Sequence, residues 1–331
     1  MPGTPVGRQG EPGYAGLMTF CKVPLVLDPA DLRGADVAIV GAPIDETVTN
    51  RPGARFGPRA IRQGDVGGGP HRPNMNVGVD PFEVLTVVDY GDAPVKPGDQ
   101  ARSHEAIRGT VAEICAAGAI PIVLGGDHSI AHPDAGAVAA HLKPETLGII
   151  HFDAHADNAE SLYGVTRSHG TPMRLLVEEG SVRGEHIVQI GLRGYWPDPE
   201  EFEWSRRRGL RWHLMDEISE RGMDAVLEDV IREAGAPAHM FLSFDIDVCD
   251  PAFAPGTGTP EPGGITAREA LRSVRRLAYE VGFAGMEVVE VSPPYDHAET
   301  TAFLANRIIL EALSGLALRK LGREPKPERP A

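Results

Sequence analysis

The sequence is short of cysteine: Cys21, Cys115 and Cys249 are the only three in 331 residues, an odd number with no Cys-x-x-Cys spacing. That excludes a disulfide framework and a thiolate zinc site, and leaves packing as the expected role of each, even Cys249 beside an acidic motif. Long apolar runs are missing too. The longest stops well below the roughly 18 residues a bilayer requires, so no membrane span is expected. Positive charge is deficient, with 32 Lys and Arg against 47 Asp and Glu. The formal charge of −15 repels nucleic acid and anionic membranes and mildly favours a cationic ligand. The opening MPGTPVGRQGEPGYAG lacks the basic-then-apolar order of a secretory signal, so a cytoplasmic protein is expected. Neither an internal repeat nor a mid-chain linker is visible. The organisation predicted is an N-terminal arm over 1–34, a single catalytic domain over 35–320 and a polar tail over 321–331.

What the chain does have is a steady alternation. The apolar runs VAIVGAP (37–43), VLTVVDYGD (84–92), AIPIVLGGDHS (119–129), TLGIIHFDAHAD (146–157), HIVQIGLRG (186–194), HMFLSFDIDVCD (239–250) and GMEVVEVSPP (285–294) are separated by segments of helical character. Those segments are 101–117, 131–142, 171–179, 221–234, 266–281 and 298–320. Strand and helix in turn predict an α/β domain whose parallel sheet is covered on both faces. Ligands of such sheets bind beyond the carboxyl ends of the strands, so the chemistry-bearing residues should follow the apolar runs.

They do so at three places. In GGDHS, Gly125 and Gly126 let the chain turn and bring Asp127 and His128 to the mouth of the sheet. In HFDAHADN, Asp153, His155 and Asp157 alternate; on a continuing strand they would share one face, and their crowding calls for a cation. In SFDIDVCDP, Asp245 and Asp247 again lie two apart after an apolar run. Two His and four Asp exceed the needs of one tetrahedral zinc and suit two adjacent ions that share carboxylates. Carboxylate-rich ligation favours Mn²⁺, while imidazole admits Ni²⁺, Co²⁺ and Zn²⁺. Two such ions lower the pKa of a shared water towards neutrality, which is the requirement for hydrolysis.

With NRPGARFGPRAIR (50–62), SHGTPMR (168–174) and VVEVSPPYD (288–296) added to GGDHS, DAHAD and SFDIDVCDPAFAPGTGTPEPGG, the chain from about 35 to 315 resembles the ureohydrolases, which comprise arginase, agmatinase and related amidinohydrolases. The resemblance implies a three-layer α/β/α fold with a parallel eight-stranded sheet and a centre of two divalent ions, Mn²⁺ preferred and Ni²⁺ the alternative. It also implies trimers or hexamers, with a hetero-oligomer as the variant. Carried over by motif, His128, Asp153, Asp157 and Asp245 would ligate one ion and His155, Asp153, Asp245 and Asp247 the other, Asp153 and Asp245 bridging. His169 would be the proton shuttle, Glu290 the carboxylate that orients a guanidinium, and Asp157 a carrier of the nucleophile's proton. The implied reaction is hydrolysis of a small cationic guanidino compound to urea and an amine.

A guanidinium is a poor electrophile, so it needs a strong nucleophile above its carbon and an acid for the departing amine. Arginase reads its amino acid partly with an asparagine two residues past the last ligand of Asp-x-His-x-Asp. Ala159 stands there, with Asn158 one residue early, so arginine is not the expected substrate. The NRPGARFGPRAIR and SPPYDHAETT segments look closer to agmatinases and guanidino-acid hydrolases. On the loop NAESLYGVTRS (158–168), Tyr163 and Arg167 are candidate substrate contacts, Arg167 being suited to a substrate carboxylate. Small or substituted guanidines and biguanides form the alternative substrate class. A supporting subunit of a mixed oligomer would be expected to lack ligands, and none of the six is missing. A zinc deacetylase of related fold would not need the second ion's ligands or Glu290.

Overall fold

The computed structural model describes residues 11–65, 67, 69–195, 197–234 and 237–325. Eight strands form one sheet: β1 (Val37–Ala42), β2 (Val87–Asp92), β3 (Ile120–Gly125), β4 (Leu147–Phe152), β5 (Ile187–Leu192), β6 (Arg211–Leu214), β7 (His239–Asp245) and β8 (Gly285–Val289). Their order is β2-β1-β3-β8-β7-β4-β5-β6, and every pairing is parallel. The inner strands read as unbroken apolar runs because both faces are covered. Val37 and Ile39 of β1 enter one core with Ile122, Phe152, Phe244 and Met286, while Ala38 and Val40 enter the other with Val123, Ile149, Phe241 and Val289.

Among the described residues ten α-helices complete the layers: α1 (Gly57–Gln63), α2 (Pro81–Val84), α3 (Gln100–Ala116), α4 (Ala131–Leu142), α5 (Pro172–Glu178), α6 (Pro199–Arg208), α7 (Met215–Arg221), α8 (Met223–Glu233), α9 (Ala267–Glu280) and α10 (Thr300–Leu321). Apolar side chains of α1 and α7–α10 fill the first core, and those of α3–α6 the second. The segment read as one helix over 221–234 is divided at Gly222, whose φ of 81° no helix tolerates. Although the sequence shows no long apolar run, α10 has the length and hydropathy of a membrane span; 78% of its apolar window is buried inside the protein. The described part of the N-terminal arm docks on the sheet, with Phe20 N–H donating to Asp89 Oδ2 at 2.8 Å and Leu25 bridging to Asp89.

For function the decisive feature is the middle of the strand order. β3, β8, β7 and β4 are consecutive neighbours, and from their carboxyl ends leave GGDHS, EVSP, DID and DAHAD respectively.

Candidate active site

Each of these four loops is fixed by its own backbone chemistry. After β3, Gly126 has φ 55°, and a side chain there would meet the Ile44 carbonyl at 2.9 Å, so glycine alone makes the turn that delivers Asp127 and His128. After β4 the chain leaves the sheet at once. The strand ends at Phe152 and Asp157 adopts φ 48°, so the strand pleat expected to align Asp153, His155 and Asp157 is not what gathers them. A turn does so, with His155 N–H donating to Asp153 Oδ1 at 2.6 Å; Asp is among the few residues that enter the left-handed region readily. At the end of β7, Asp245 Oδ1 accepts from Asp247 N–H at 2.8 Å. Arg193 pins the segment by donating to the carbonyls of Asp247 (2.7 Å) and Glu261 (2.6 Å). After β8, Glu290 has φ 62° and donates its N–H to the Gly126 carbonyl at 2.9 Å.

All six candidate ligands come together. His128 Nδ1 lies 2.8 Å from Asp157 Oδ2, 3.1 Å from Asp153 Oδ2 and 3.3 Å from Asp245 Oδ2. His155 Nδ1 lies 3.1 Å from Asp247 Oδ2 and 3.4 Å from Asp153 Oδ1. Asp153 therefore turns one oxygen towards each imidazole, the disposition of a bridging carboxylate. The ligand atoms of Asp153, His155 and Asp247 lie within 4.8 Å of one another, as do those of His128, His151 and Asp153.

The residues fit a pair of divalent ions on two grounds. His128 Nδ1 is buried and forms no proper hydrogen bond among the described residues despite three carboxylate oxygens around it, as expected of a lone pair aimed at an ion. The charges also do not balance. Burial and the neighbouring Asp247 and Asp153 push Asp245 well up, and burial with Asp153 pushes Asp247 up despite His155. Against burial, His151 and His128 hold Asp153 well below the carboxylate range. Burial opposes charge on His128 and His155, yet the surrounding carboxylates raise both well above the usual imidazole value. A surplus of buried negative charge is what a divalent cation relieves.

Beneath the ligands lies a support that sequence reasoning passed over. His151 Nε2 is 2.8 Å from Asp153 Oδ2, and Gln189 Nε2 donates to His151 Nδ1 at 2.9 Å, so the proton sits on Nε2 and points at the Asp153 carboxylate. The available signal was the position of His151 two residues before Asp153. His128 Nε2 is 2.8 Å from Ser243 Oγ and 3.6 Å from Glu287 Oε1. The Asp134 carboxyl nearby is raised well above its usual range by burial and then by the charge of Glu287.

Glu290 is buried, and its Oε1 accepts the His128 N–H at 2.9 Å. Its Oε2 has no hydrogen-bond partner among the described residues. His169 Nδ1 lies 3.4 Å from Glu290 Oε1. Burial lowers this histidine, but the Glu290 carboxylate, with Asp157 and Asp127 behind it, outweighs burial and raises it to about 9. Asp127 itself is pushed up to about 6 by burial and by Glu290.

Other sequence candidates fall elsewhere. Tyr163 is 93% exposed, and the Arg167 guanidinium lies 3.6 Å from Glu179 Oε1 rather than among the ligands. Asn158 is buried and donates to Ser205 Oγ and the Glu201 carbonyl, tying its loop to α6. Ala159 is buried too, with its N–H on the Gly170 carbonyl at 3.0 Å. Cys249 is a packing residue whose thiol burial pushes well up.

The chain is similar to known proteins. The Arginase family model matches residues 35–315. Guanidinopropionase of Pseudomonas aeruginosa is 40% identical, covering 92% of this chain and 93% of its own. A mitochondrial agmatinase of Gallus gallus is 38% identical over 90% of this chain and 85% of its own. The solved structure of proclavaminate amidinohydrolase from Streptomyces clavuligerus superposes with a TM-score of 0.86 at 37% identity, covering 93% of this chain and 100% of that one. With the fold, the motif order and matches of this extent in agreement, the chain belongs to the arginase family.

Proposed function

We propose that the protein hydrolyses a guanidino compound to urea and an amine at this cluster. One observation carries the reading: Glu290 Oε2 is a buried carboxylate oxygen with no partner among the described residues, while the same carboxylate holds the backbone N–H of the candidate ligand His128. A buried anionic oxygen left unpaired is costly, and a planar cation with several N–H donors satisfies it. The relatives named above as acting on guanidinopropionate and on agmatine share that chemical group.

His128, Asp153, Asp157 and Asp245 would hold one divalent ion, and His155, Asp153, Asp245 and Asp247 the second. Mn²⁺ is the ion proposed and Ni²⁺ the alternative, since both accept mixed oxygen and imidazole ligation. When bound, the pair supplies a water activated for attack at neutral pH. Glu290 orients the guanidinium over the cluster through its free oxygen. Asp157 accepts the proton of the attacking water and passes it to the leaving nitrogen. His169, held cationic by its neighbours, supplies a proton to the departing amine and recovers one from solvent.

The substrate's far end lies towards the loop 158–168. Arg167 is half-exposed, and a pair of its kind with Glu179 is worth at most about 1 kcal/mol, so it is free to turn towards a substrate carboxylate. This favours a guanidino acid over agmatine. Assembly into trimers or hexamers belongs to the same proposal, and sedimentation of the metal-loaded protein reads it. The reaction is tested by assaying urea from guanidinopropionate, guanidinobutyrate, agmatine and guanidine with Mn²⁺ and then Ni²⁺ supplied; release from none of them would overturn it.

A further inference from the structure

The segment after β1 reaches across the sheet to His169 and meets it twice. Thr47 Oγ1 accepts the His169 backbone N–H at 2.9 Å, and Thr49 Oγ1 lies 3.1 Å from the ring nitrogen Nε2. Thr47 is itself anchored, its hydroxyl and N–H donating to Asp127 Oδ2 at 2.9 and 3.1 Å. Asp127 Oδ1 accepts from the Ser129 hydroxyl and N–H on the loop after β3. The His169 ring is thus suspended between two groups, Glu290 Oε1 at Nδ1 and Thr49 Oγ1 at Nε2.

The two partners differ in kind. A carboxylate only accepts, so Nδ1 carries its proton towards Glu290 in either state of the ring. A hydroxyl both donates and accepts. Facing neutral His169, the Thr49 O–H donates to the Nε2 lone pair; facing the imidazolium, Thr49 Oγ1 accepts from Nε2–H. One rotation of a hydroxyl hydrogen serves both states, with no heavy atom moving. We propose that Thr49 is a positioning residue for proton transfer, holding the His169 imidazole in one orientation before and after the ring gives up its proton. This rests on the reading that His169 supplies the leaving amine's proton.

Thr49 is an exposed residue touching none of the six ligands, so valine in its place preserves shape without disturbing the core or the metal content. Thr49→Val is expected to lower kcat by about 10-fold, within the range that positioned proton transfer contributes, with KM within about 2-fold of wild type. Thr49→Ser, which keeps the hydroxyl, should retain kcat. In a His169→Asn background, Thr49→Val should cause no further loss, because two residues acting through one step are not additive. The proposal is overturned if Thr49→Val keeps wild-type kcat while His169→Asn is impaired, if Thr49→Ser is as slow as Thr49→Val, or if the two losses multiply in the double variant. Wild-type kcat in His169→Asn alone would instead overturn the shuttle reading on which this role depends.

Discussion

His128 and Glu290 are joined directly: the His128 backbone N–H donates to Glu290 Oε1 at 2.9 Å, so the proposed ion cluster and the proposed guanidinium receptor are parts of one buried framework. An ion ligand and a substrate anchor from different strands cannot drift apart while that bond holds, which matters because small misplacement of a nucleophile costs orders of magnitude in rate.

Glu290 separates binding of ions from binding of substrate. Glu290→Gln preserves the shape and can still accept the His128 N–H, but it removes the anion. Two divalent ions per chain should remain by elemental analysis, while kcat/KM falls about 100-fold or more, the scale of a lost charge-assisted contact. Loss of metal in this variant would mean that Glu290 supports the cluster rather than the substrate.

Asp153 faces both imidazoles, so the account assigns it to both ions. Asp153→Asn should lose metal as well as activity; a variant that retains its full complement of both ions contradicts the bridge. Chelation of the wild-type protein should lower its Tm, because crowded buried carboxylates then repel one another.

His169 carries a pH signature. Its raised value keeps the ring cationic through neutral pH and releases the proton as pH rises through about 9. A step that needs the cation therefore runs fully through neutral pH and fades only in the window around pH 9. The kcat profile of wild type should show an alkaline limb in that window, and His169→Asn should lack it.

Arg167 tests the kind of substrate. Arg167→Ala should raise KM for guanidinobutyrate about 10-fold, the scale of a lost carboxylate contact, and leave agmatine unchanged. Equal effects on the two would remove Arg167 from substrate recognition.

The central strands were legible because a parallel strand covered on both faces leaves an uninterrupted apolar run, and the candidate ligand motifs follow three of those runs, with Glu290 following a fourth. β6 was not: RWHL is a four-residue edge strand with Arg211 exposed, too short and too polar to stand out. α6 was missed as well, since PEEFEWSRRR buries only Trp204 and Ser205. The six candidate ligands do come together, though not by the local route the sequence suggested. Alternation on a strand suggested Asp153, His155 and Asp157, whereas β4 stops at Phe152 and a left-handed Asp157 completes the cluster. Roles that rest on contacts between distant segments, such as Thr49 on His169 or Gln189 on His151, leave no local pattern to read.

The most direct measurement is urea produced by the Mn²⁺-loaded protein from the panel of guanidino acids, agmatine and guanidine, quantified beside the amine formed. The account predicts equimolar urea and amine from at least one guanidino compound, abolished by chelation and by Asp153→Asn. Metal bound at full occupancy with no urea from any of them would contradict it.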